Sequence, residues 1–100
     1  MTQVEGTVCS FTVNGQEVFF FVIDKHHVIQ CHHVVGQFYE PEELAIIAEY
    51  FPHGGVFLDV GANLGNHAIY VARYLHPVQV ILVEPDPAAI PILRINVAPN

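Results

Sequence analysis

Two runs rich in Val, Phe and Thr open the chain, residues 4–13 and 17–23, and Asn14-Gly15 lies between them. Asn-Gly readily adopts the positive φ angles of a type I′ turn. The pattern therefore predicts an N-terminal β-hairpin. Its side chains include no group that suggests catalysis, so we interpret the hairpin as a cap, a substrate-side wall or an interface.

Histidines dominate the next segment, residues 24–37. Five groups there have side chains that can bind a metal: His26, His27, Cys31, His32 and His33. Their spacing matches no recognised zinc pattern, no second cluster follows, and neighbouring side chains of an extended chain point to opposite faces. We therefore predict a solvated or partly buried strand and loop without a metal site. A metal bound by this cluster is the alternative.

The following pattern predicts an amphipathic helix over residues 41–51. Pro41 suits the first helical position, and Glu42 and Glu43 lie in the first turn, where the helix dipole favours them. Apolar residues at helical spacing form one face that we expect to be buried: Leu44, Ile47, Ala48 and Phe51. A proline and two glycines then end the helix.

Apolar runs and a helical pattern alternate in the second half of the chain. Residues 56–60 and 78–83 are short apolar runs, which predict strands buried on both faces. A glycine-rich turn and a helix over residues 66–75 lie between them, and the predicted inward side chains are Ile69, Ala72 and Leu75. Two buried strands joined by a helix predict a parallel pair with a right-handed crossover.

A last helix is predicted after the second strand, with Asp86 as its N-cap and Pro87 at its first position. Pro91 removes a backbone hydrogen bond one turn later, so this helix is either kinked or begins late. The predicted fold class is α/β. Because two parallel strands are too few for an independent open sheet, we expect an incomplete domain that belongs to a larger one.

The composition supports a folded chain, since 52% of the 100 residues are hydrophobic and only 13% are charged. The formal net charge is −7, and Lys25, Arg73 and Arg94 are the only lysine or arginine residues. This balance argues against binding to nucleic acid or to an anionic membrane surface. No leader or spanning segment stands out, so we expect a cytoplasmic protein. Cys9 and Cys31 are too few for a disulfide scaffold and are predicted to be buried free thiols.

The chemistry is concentrated where the two predicted strands end. Asp59 precedes a turn that contains Gly61 and Gly65, and Glu84 follows 25 residues after Asp59 at the end of the next strand. Ligands of open α/β sheets bind at the carboxyl ends of the strands, and glycines let the backbone approach them. A carboxylate at Glu84 can accept hydrogen bonds from both hydroxyls of a ribose. These features predict a nucleoside-containing cofactor.

The details of the turn discriminate between cofactors. The dinucleotide fingerprint is Gly-x-Gly-x-x-Gly, but here Asn63 stands at the middle position and the spacing is Gly-x-x-x-Gly. The P-loop pattern is absent. Asp59 would repel a pyrophosphate and attract the ammonium or sulfonium of S-adenosylmethionine. The residues therefore favour the methyl donor, and a nicotinamide-dependent oxidoreductase is the alternative.

The motifs from residue 36 onward resemble the FkbM family of class I methyltransferases. The likeness is carried by Phe38-Tyr39-Glu40-Pro41-Glu42, Phe57-Leu-Asp59-Val-Gly61-Ala-Asn63-Leu-Gly65-Asn66-His67, Val83-Glu84-Pro85-Asp86-Pro87, and Leu93-Arg-Ile-Asn96 with Asn100. The resemblance implies a Rossmann-like, S-adenosylmethionine-dependent methyltransferase that acts on oxygen of sugars or other small or polymer-linked acceptors. It divides the chain into a hairpin extension, residues 1–35, and the first part of the cofactor domain, residues 36–100.

The resemblance also implies roles for individual residues. The methionine end of the cofactor would be lined by Asp59, Gly61, Asn63 and Gly65, and Ala62 and Asn66 belong to the same cofactor-binding set. Glu84 would hold the ribose, and Pro85 and Asp86 would form the turn beside the ribose or adenine. Tyr39 and Glu40 precede the helix that packs near the cofactor mouth. No catalytic residue is identified.

Structural roles are the alternatives for several of these residues. Asp59 can cap a turn, Gly65 can serve helix–strand packing, and Asn63 can be a left-handed loop residue. His67 is predicted to stabilise the turn rather than act as a general base.

One alternative also applies to the chain as a whole. It can be a non-catalytic regulatory or truncated piece instead of an enzyme. We also expect an exposed sheet edge to allow association of copies into a homo-oligomer.

Overall fold

Residues 5–100, which the computed structural model describes, form an α/β arrangement of four strands and four helices. The elements in chain order are β1 (Thr7–Val13), β2 (Gln16–Val22), α1 (Gln30–Val34), α2 (Pro41–Tyr50), β3 (Val56–Val60), α3 (Asn66–Tyr74), β4 (Gln79–Val83) and α4 (Ile90–Val97). Val4, the first residue of the predicted hairpin, lies outside the described residues. Within residues 5–100, none of the helices has the length and apolar character needed to cross a membrane.

The N-terminal hairpin is confirmed. Strands β1 and β2 pair antiparallel, and the pairing closes at Val13 opposite Gln16. Asn14 and Gly15 form the turn with φ angles of 50° and 78°, which is the left-handed conformation that Asn-Gly favours. The inward face of β2 is fully apolar, with Val18 and Phe20 buried completely.

The parallel pair is also confirmed. Strands β3 and β4 lie side by side from Val56 opposite Gln79 to Val60 opposite Val83, and helix α3 connects them. Helix α3 packs on one face of the pair. The other face carries Val56, Leu58, Val60, Ile81 and Val83, all exposed.

The prediction that these strands are buried on both faces is therefore wrong for the described chain. Apolar runs indicate burial without showing how many layers are present, and only one layer packs here. Self-association through an exposed sheet edge stays a prediction.

Helix α1 corrects the prediction of a strand and loop over residues 24–37. Its two buried residues are polar, Gln30 and His33, so apolar periodicity gives no sign of it. Gln30 accepts the backbone N–H groups of Ile23 and Asp24 at its Oε1, at 2.7 and 3.2 Å. These hydrogen bonds fix the start of the helix against the end of β2.

The other helices match their predictions with local differences. Helix α2 begins at Pro41 as predicted and ends one residue early, at Tyr50. Helix α3 ends at Tyr74, and Ala72 is exposed rather than inward. The buried apolar side chains of α3 are those of Ala68, Ile69 and Val71.

Helix α4 begins late, at Ile90, with Pro91 in its first turn. Asp86 is therefore not its N-cap. Asp86 Oδ1 instead accepts the Ala88 N–H at 2.9 Å in the turn before the helix. Pro91 explains the late start, since a proline is tolerated only in the first turn, where its missing N–H leaves no bond unmade.

A shared hydrophobic core joins the hairpin to the later elements. Val18 and Phe20 from β2 pack with Phe38, Leu44 and Ile69. Each fully buried side chain of this size contributes about 1.5–3 kcal/mol to folding. The hairpin is thus part of the same packed unit as helices α2 and α3. Both cysteines are free, as predicted, but they are partly rather than fully buried.

Candidate functional site

The turn between β3 and α3 is built on three left-handed residues. Gly61, Asn63 and Gly65 have φ angles of 81°, 51° and 91°. The Gly61 and Ala62 N–H groups both donate to the Val83 carbonyl, at 2.8 and 3.1 Å. These two hydrogen bonds hold the turn against the end of the neighbouring strand β4. Asn63 has the left-handed conformation that the sequence analysis gave as its structural alternative.

The two glycines of the turn have different surroundings. A Cβ at Gly65 would lie 3.1 Å from Leu93 Cδ1 and 3.2 Å from Ile69 Cδ1, so close helix packing occupies its side. A Cβ at Gly61 would meet no atom within 4 Å. Gly65 thus serves packing, whereas Gly61 leaves the backbone open to a ligand.

Glu84 turns back from the end of β4 over this loop. Its Oε1 accepts the Asn63 N–H at 2.7 Å, and its Oε2 accepts the Asp86 N–H at 2.9 Å. Pro85 is the exposed residue between the two acidic side chains. Because each carboxylate oxygen has two lone pairs, both oxygens of Glu84 can accept one more hydrogen bond.

Asp59 is the half-buried carboxylate near the end of β3. Its Oδ2 is shielded from solvent and has no hydrogen-bond partner within residues 5–100. Burial raises the pKa of Asp59, Glu84 raises it further, and His67 and the Ala68 N–H act in the opposite direction. A buried acceptor without a donor is costly, so this oxygen is suited to a cationic or hydrogen-donating ligand group.

Asn66 lies behind the turn, buried at the start of α3. Its Oδ1 accepts the Tyr39 N–H at 2.8 Å and faces His33 Nε2 at 2.9 Å. Its Nδ2 donates to the Tyr39 carbonyl at 2.8 Å and to His67 Nδ1 at 3.3 Å. All four hydrogen-bonding positions of the amide are thus used inside the protein. Asn66 fixes the chain before α2 against the turn.

The orientation of the Asn66 amide also fixes the protons on two histidines. His33 must donate from Nε2, which leaves Nδ1 as a buried acceptor without a partner. Burial, including a stacking contact of 3.7 Å between ring centroids with Phe20, lowers the pKa of His33 to about 4. His67 accepts at Nδ1, so its proton lies on Nε2.

A cluster of Glu40, Glu43 and His67 borders the turn on the α2 side. His67 Nε2 lies 3.9 Å from Glu40 Oε1 and 3.8 Å from Glu43 Oε2. A hydrogen bond with Glu43 raises the pKa of Glu40. The three ligand atoms lie within 4.8 Å of one another, a spacing that suits a metal ion, but His67 Nε2 carries the ring proton and offers no lone pair. Because the distances from His67 to the carboxylates exceed hydrogen-bond length, we interpret the cluster as an electrostatic contact.

Sequence reasoning missed this cluster, although Glu40 and Glu43 stand three residues apart at a helix start. The histidines of residues 24–37 have different surroundings. His33 enters the core, and His27 Nδ1 accepts the Ile29 N–H at 3.1 Å.

Two grooves flank the site. One of about 540 Å³ adjoins Glu84 and is lined mainly by apolar residues of β4 and α4, among them Leu82, Ile90 and Leu93. The other, of about 760 Å³, includes Tyr39 and Glu40 in its wall. The structure thus brings Asp59, the turn and Glu84 to one edge of the parallel pair, with an apolar recess beside them.

Comparison with protein-family models, with curated proteins and with solved structures finds no match for this chain. The resemblance to the FkbM family stays a prediction that the quoted motifs carry.

Proposed function

We propose that this chain binds S-adenosylmethionine and forms the cofactor-binding part of a methyltransferase with a Rossmann-like fold. The observation that carries the proposal is the pairing of two carboxylates at the ends of adjacent parallel strands. Asp59 offers a buried oxygen without a partner among residues 5–100. Glu84 is hydrogen-bonded to Asn63 of the turn in which the Gly61 backbone is open. Such a strand end is where open α/β sheets bind nucleotides and nucleosides.

The charge at Asp59 supports a cationic ligand. An ionised carboxylate with a shielded oxygen is stabilised by an ammonium or sulfonium and destabilised by a phosphate. Burial already raises the pKa of Asp59, so a second anion beside it would be unfavourable. S-adenosylmethionine meets this requirement at its methionine end, and a pyrophosphate does not.

The surroundings of Glu84 support a ribose. Each carboxylate oxygen already accepts one backbone N–H and keeps one lone pair, so two hydroxyls can each donate to a charged acceptor. The apolar groove beside Glu84 offers a surface for a base.

When bound, the cofactor supplies a methyl group activated by its sulfonium. The chain's own residues bind and orient it. Asp59 binds the cationic end, Gly61 lets the backbone approach closely, and Glu84 accepts the ribose hydroxyls. The proposed acceptor is an oxygen of a sugar or another small molecule.

Thermal shift measurements with three ligands test the proposal. S-adenosylmethionine and S-adenosylhomocysteine both carry the ammonium and the ribose, and both should raise the unfolding temperature, because a ligand that binds the folded state stabilises it. NAD at the same concentration should not. Stabilisation by NAD alone would favour the oxidoreductase, and no response to any of the three would favour a non-catalytic role.

A further inference from the structure

Asn96 on helix α4 connects the hairpin to the glycine turn. Its side chain is fully buried, with 1% of its surface exposed. Its Oδ1 accepts the Phe21 N–H of β2 at 2.7 Å, and its Nδ2 donates to the Leu64 carbonyl at 2.8 Å. One amide thus joins segments that lie far apart in the sequence.

The bond to Leu64 acts on the peptide unit that closes the turn. The same peptide contributes the Leu64 carbonyl to Asn96 and the Gly65 N–H to the Ala62 carbonyl, at 2.9 Å. Rotating this peptide would break both hydrogen bonds. Because peptide units are planar, the Asn96 amide sets the direction of the Gly65 N–H.

The bond to Phe21 acts on the outer edge of β2. Strand β1 covers only one edge of β2, so a buried N–H on the other edge needs a partner. Asn96 of α4 and Asn100 after α4 supply the acceptors for these N–H groups. The Leu64 and Phe21 side chains also pack in one cluster with Ile92, so the contact is both polar and apolar.

We propose that Asn96 is a positioning residue that couples the conformation of β2 to the cofactor turn. The Asn96 side chain holds the turn in its ligand-free conformation, in which the Gly61 backbone is open to a ligand. The coupling itself depends only on the contacts described above, and its effect on S-adenosylmethionine rests on the proposed function.

Asn100, which follows α4, offers a matched control because it also binds strand β2. Its Oδ1 accepts the Phe19 N–H at 3.1 Å, and its Nδ2 donates to the Phe19 carbonyl at 2.7 Å. It makes no hydrogen bond to residues 61–65 among the described contacts. Asn100 Nδ2 also donates to the backbone carbonyl of Asn96 at 2.7 Å. Asn100→Ala therefore weakens the hold on β2 and on the end of α4, and it leaves the hydrogen bonds of the turn and of the Asn96 side chain intact.

Hydrogen–deuterium exchange of the ligand-free protein tests the coupling. In Asn96→Leu, the Gly65 amide should exchange about tenfold faster relative to the Val71 amide of α3, since one net hydrogen bond is lost locally. In Asn100→Ala the two amides should change by the same factor. Asn96→Asp keeps the Phe21 bond and loses the Leu64 donor, and it should repeat the Asn96→Leu result if that variant does not fold.

The coupling would be overturned if the Gly65 and Val71 amides exchanged faster by the same factor in whichever Asn96 variant folds. The effect on the ligand is read separately, from the affinities for S-adenosylmethionine and for 5′-methylthioadenosine, which lacks the amino acid. Asn96→Leu, or Asn96→Asp in its place, should weaken the former about tenfold more than the latter. If the parent protein binds neither compound, the proposed function fails while the exchange result still decides the coupling.

Discussion

The backbone N–H of Asn63 donates to Oε1 of Glu84 across 2.7 Å, which joins the left-handed middle of the glycine turn to the end of strand β4. The residue proposed to hold the ribose is thus also a support of the turn. Cofactor binding and turn geometry are linked through one carboxylate, so substitutions there affect both.

Glu84→Gln should reduce both stability and cofactor affinity. A glutamine has one oxygen, so either the Asn63 N–H or the Asp86 N–H would face an amide donor. Loss of one charge-assisted bond corresponds to about 1.5–3 kcal/mol, or a roughly ten- to hundredfold weaker affinity for S-adenosylmethionine. Urea denaturation and calorimetric titration measure the two effects. Glu49→Gln, the same change on an exposed residue of α2, is the control. Unchanged affinity in Glu84→Gln would show that the ribose assignment is wrong.

Alanine substitutions at three glycines should separate strain, packing and ligand approach. Gly15, Gly61 and Gly65 all have φ angles near 80–90°, so each alanine carries a left-handed strain of about 1–2 kcal/mol. Gly65→Ala should cost about 1–3 kcal/mol more, because its Cβ would press on Leu93 and Ile69.

Gly61→Ala should match the control Gly15→Ala in chemical denaturation, since both sites are open. Gly61→Ala should weaken S-adenosylmethionine binding, whereas Gly15→Ala should not. An equal effect of Gly15→Ala on binding, or a Gly65→Ala protein as stable as Gly15→Ala, would contradict this division of roles.

The Asp59 carboxylate should bind the cofactor at a cost in stability. Burial raises its pKa, so the folded state holds the proton more tightly than the unfolded state does. The ionised form is therefore destabilising at neutral pH, and this penalty is relieved as the pH falls through the raised pKa.

Asp59→Asn should accordingly be more stable than the parent at pH 7, and the difference should shrink toward acid pH. Its affinity for S-adenosylmethionine should be lower at pH 7, and the parent's affinity should fall more steeply on acidification than that of the variant, which lacks the Asp59 carboxylate. Denaturation and titration at matched pH values measure both. A variant that is less stable and binds equally well would refute the assignment.

His33 should make the protein sensitive to mild acid. Burial lowers its pKa to about 4 from the usual 6.5, so the unfolded state takes up a proton in this interval before the folded state does. Stability is complete above about pH 6.5 and is lost as the pH falls toward 4. The loss between pH 7 and pH 5 is about 2 kcal/mol.

His33→Gln removes the titration and keeps an amide donor for Asn66. The parent should lose about 2 kcal/mol more than this variant between the two pH values in urea denaturation. Identical pH profiles would mean that the pKa of His33 is the same in the folded and the unfolded protein.

Local chemistry made several elements predictable from the sequence. Asn14-Gly15 specifies the hairpin turn, Pro41 starts α2, and the glycine turn between two apolar runs indicates the parallel pair. The positions of Asp59 and Glu84 at adjacent strand ends follow from that topology. These signals lie within a few residues of each other, so they do not depend on the rest of the fold.

Features that depend on distant partners were not predictable. Helix α1 buries Gln30 and His33, whose hydrogen-bond partners lie just after β2 and in α3, and no apolar periodicity marks it. The four bonds of Asn66 exist only once α1, Tyr39 and the start of α3 meet. The uncovered face of the β3–β4 pair likewise cannot be deduced from apolar runs, because such runs look the same whether one face or both faces are covered.

Calorimetric titration of the protein with S-adenosylmethionine tests the central claim most directly. The account predicts saturable binding at one site, weakened about tenfold or more in both Asp59→Asn and Glu84→Ala, with Glu49→Gln equal to the parent. No saturable binding to the parent, or binding that neither Asp59→Asn nor Glu84→Ala alters, would contradict the proposal that these two strand-end carboxylates hold a methyl-donor cofactor.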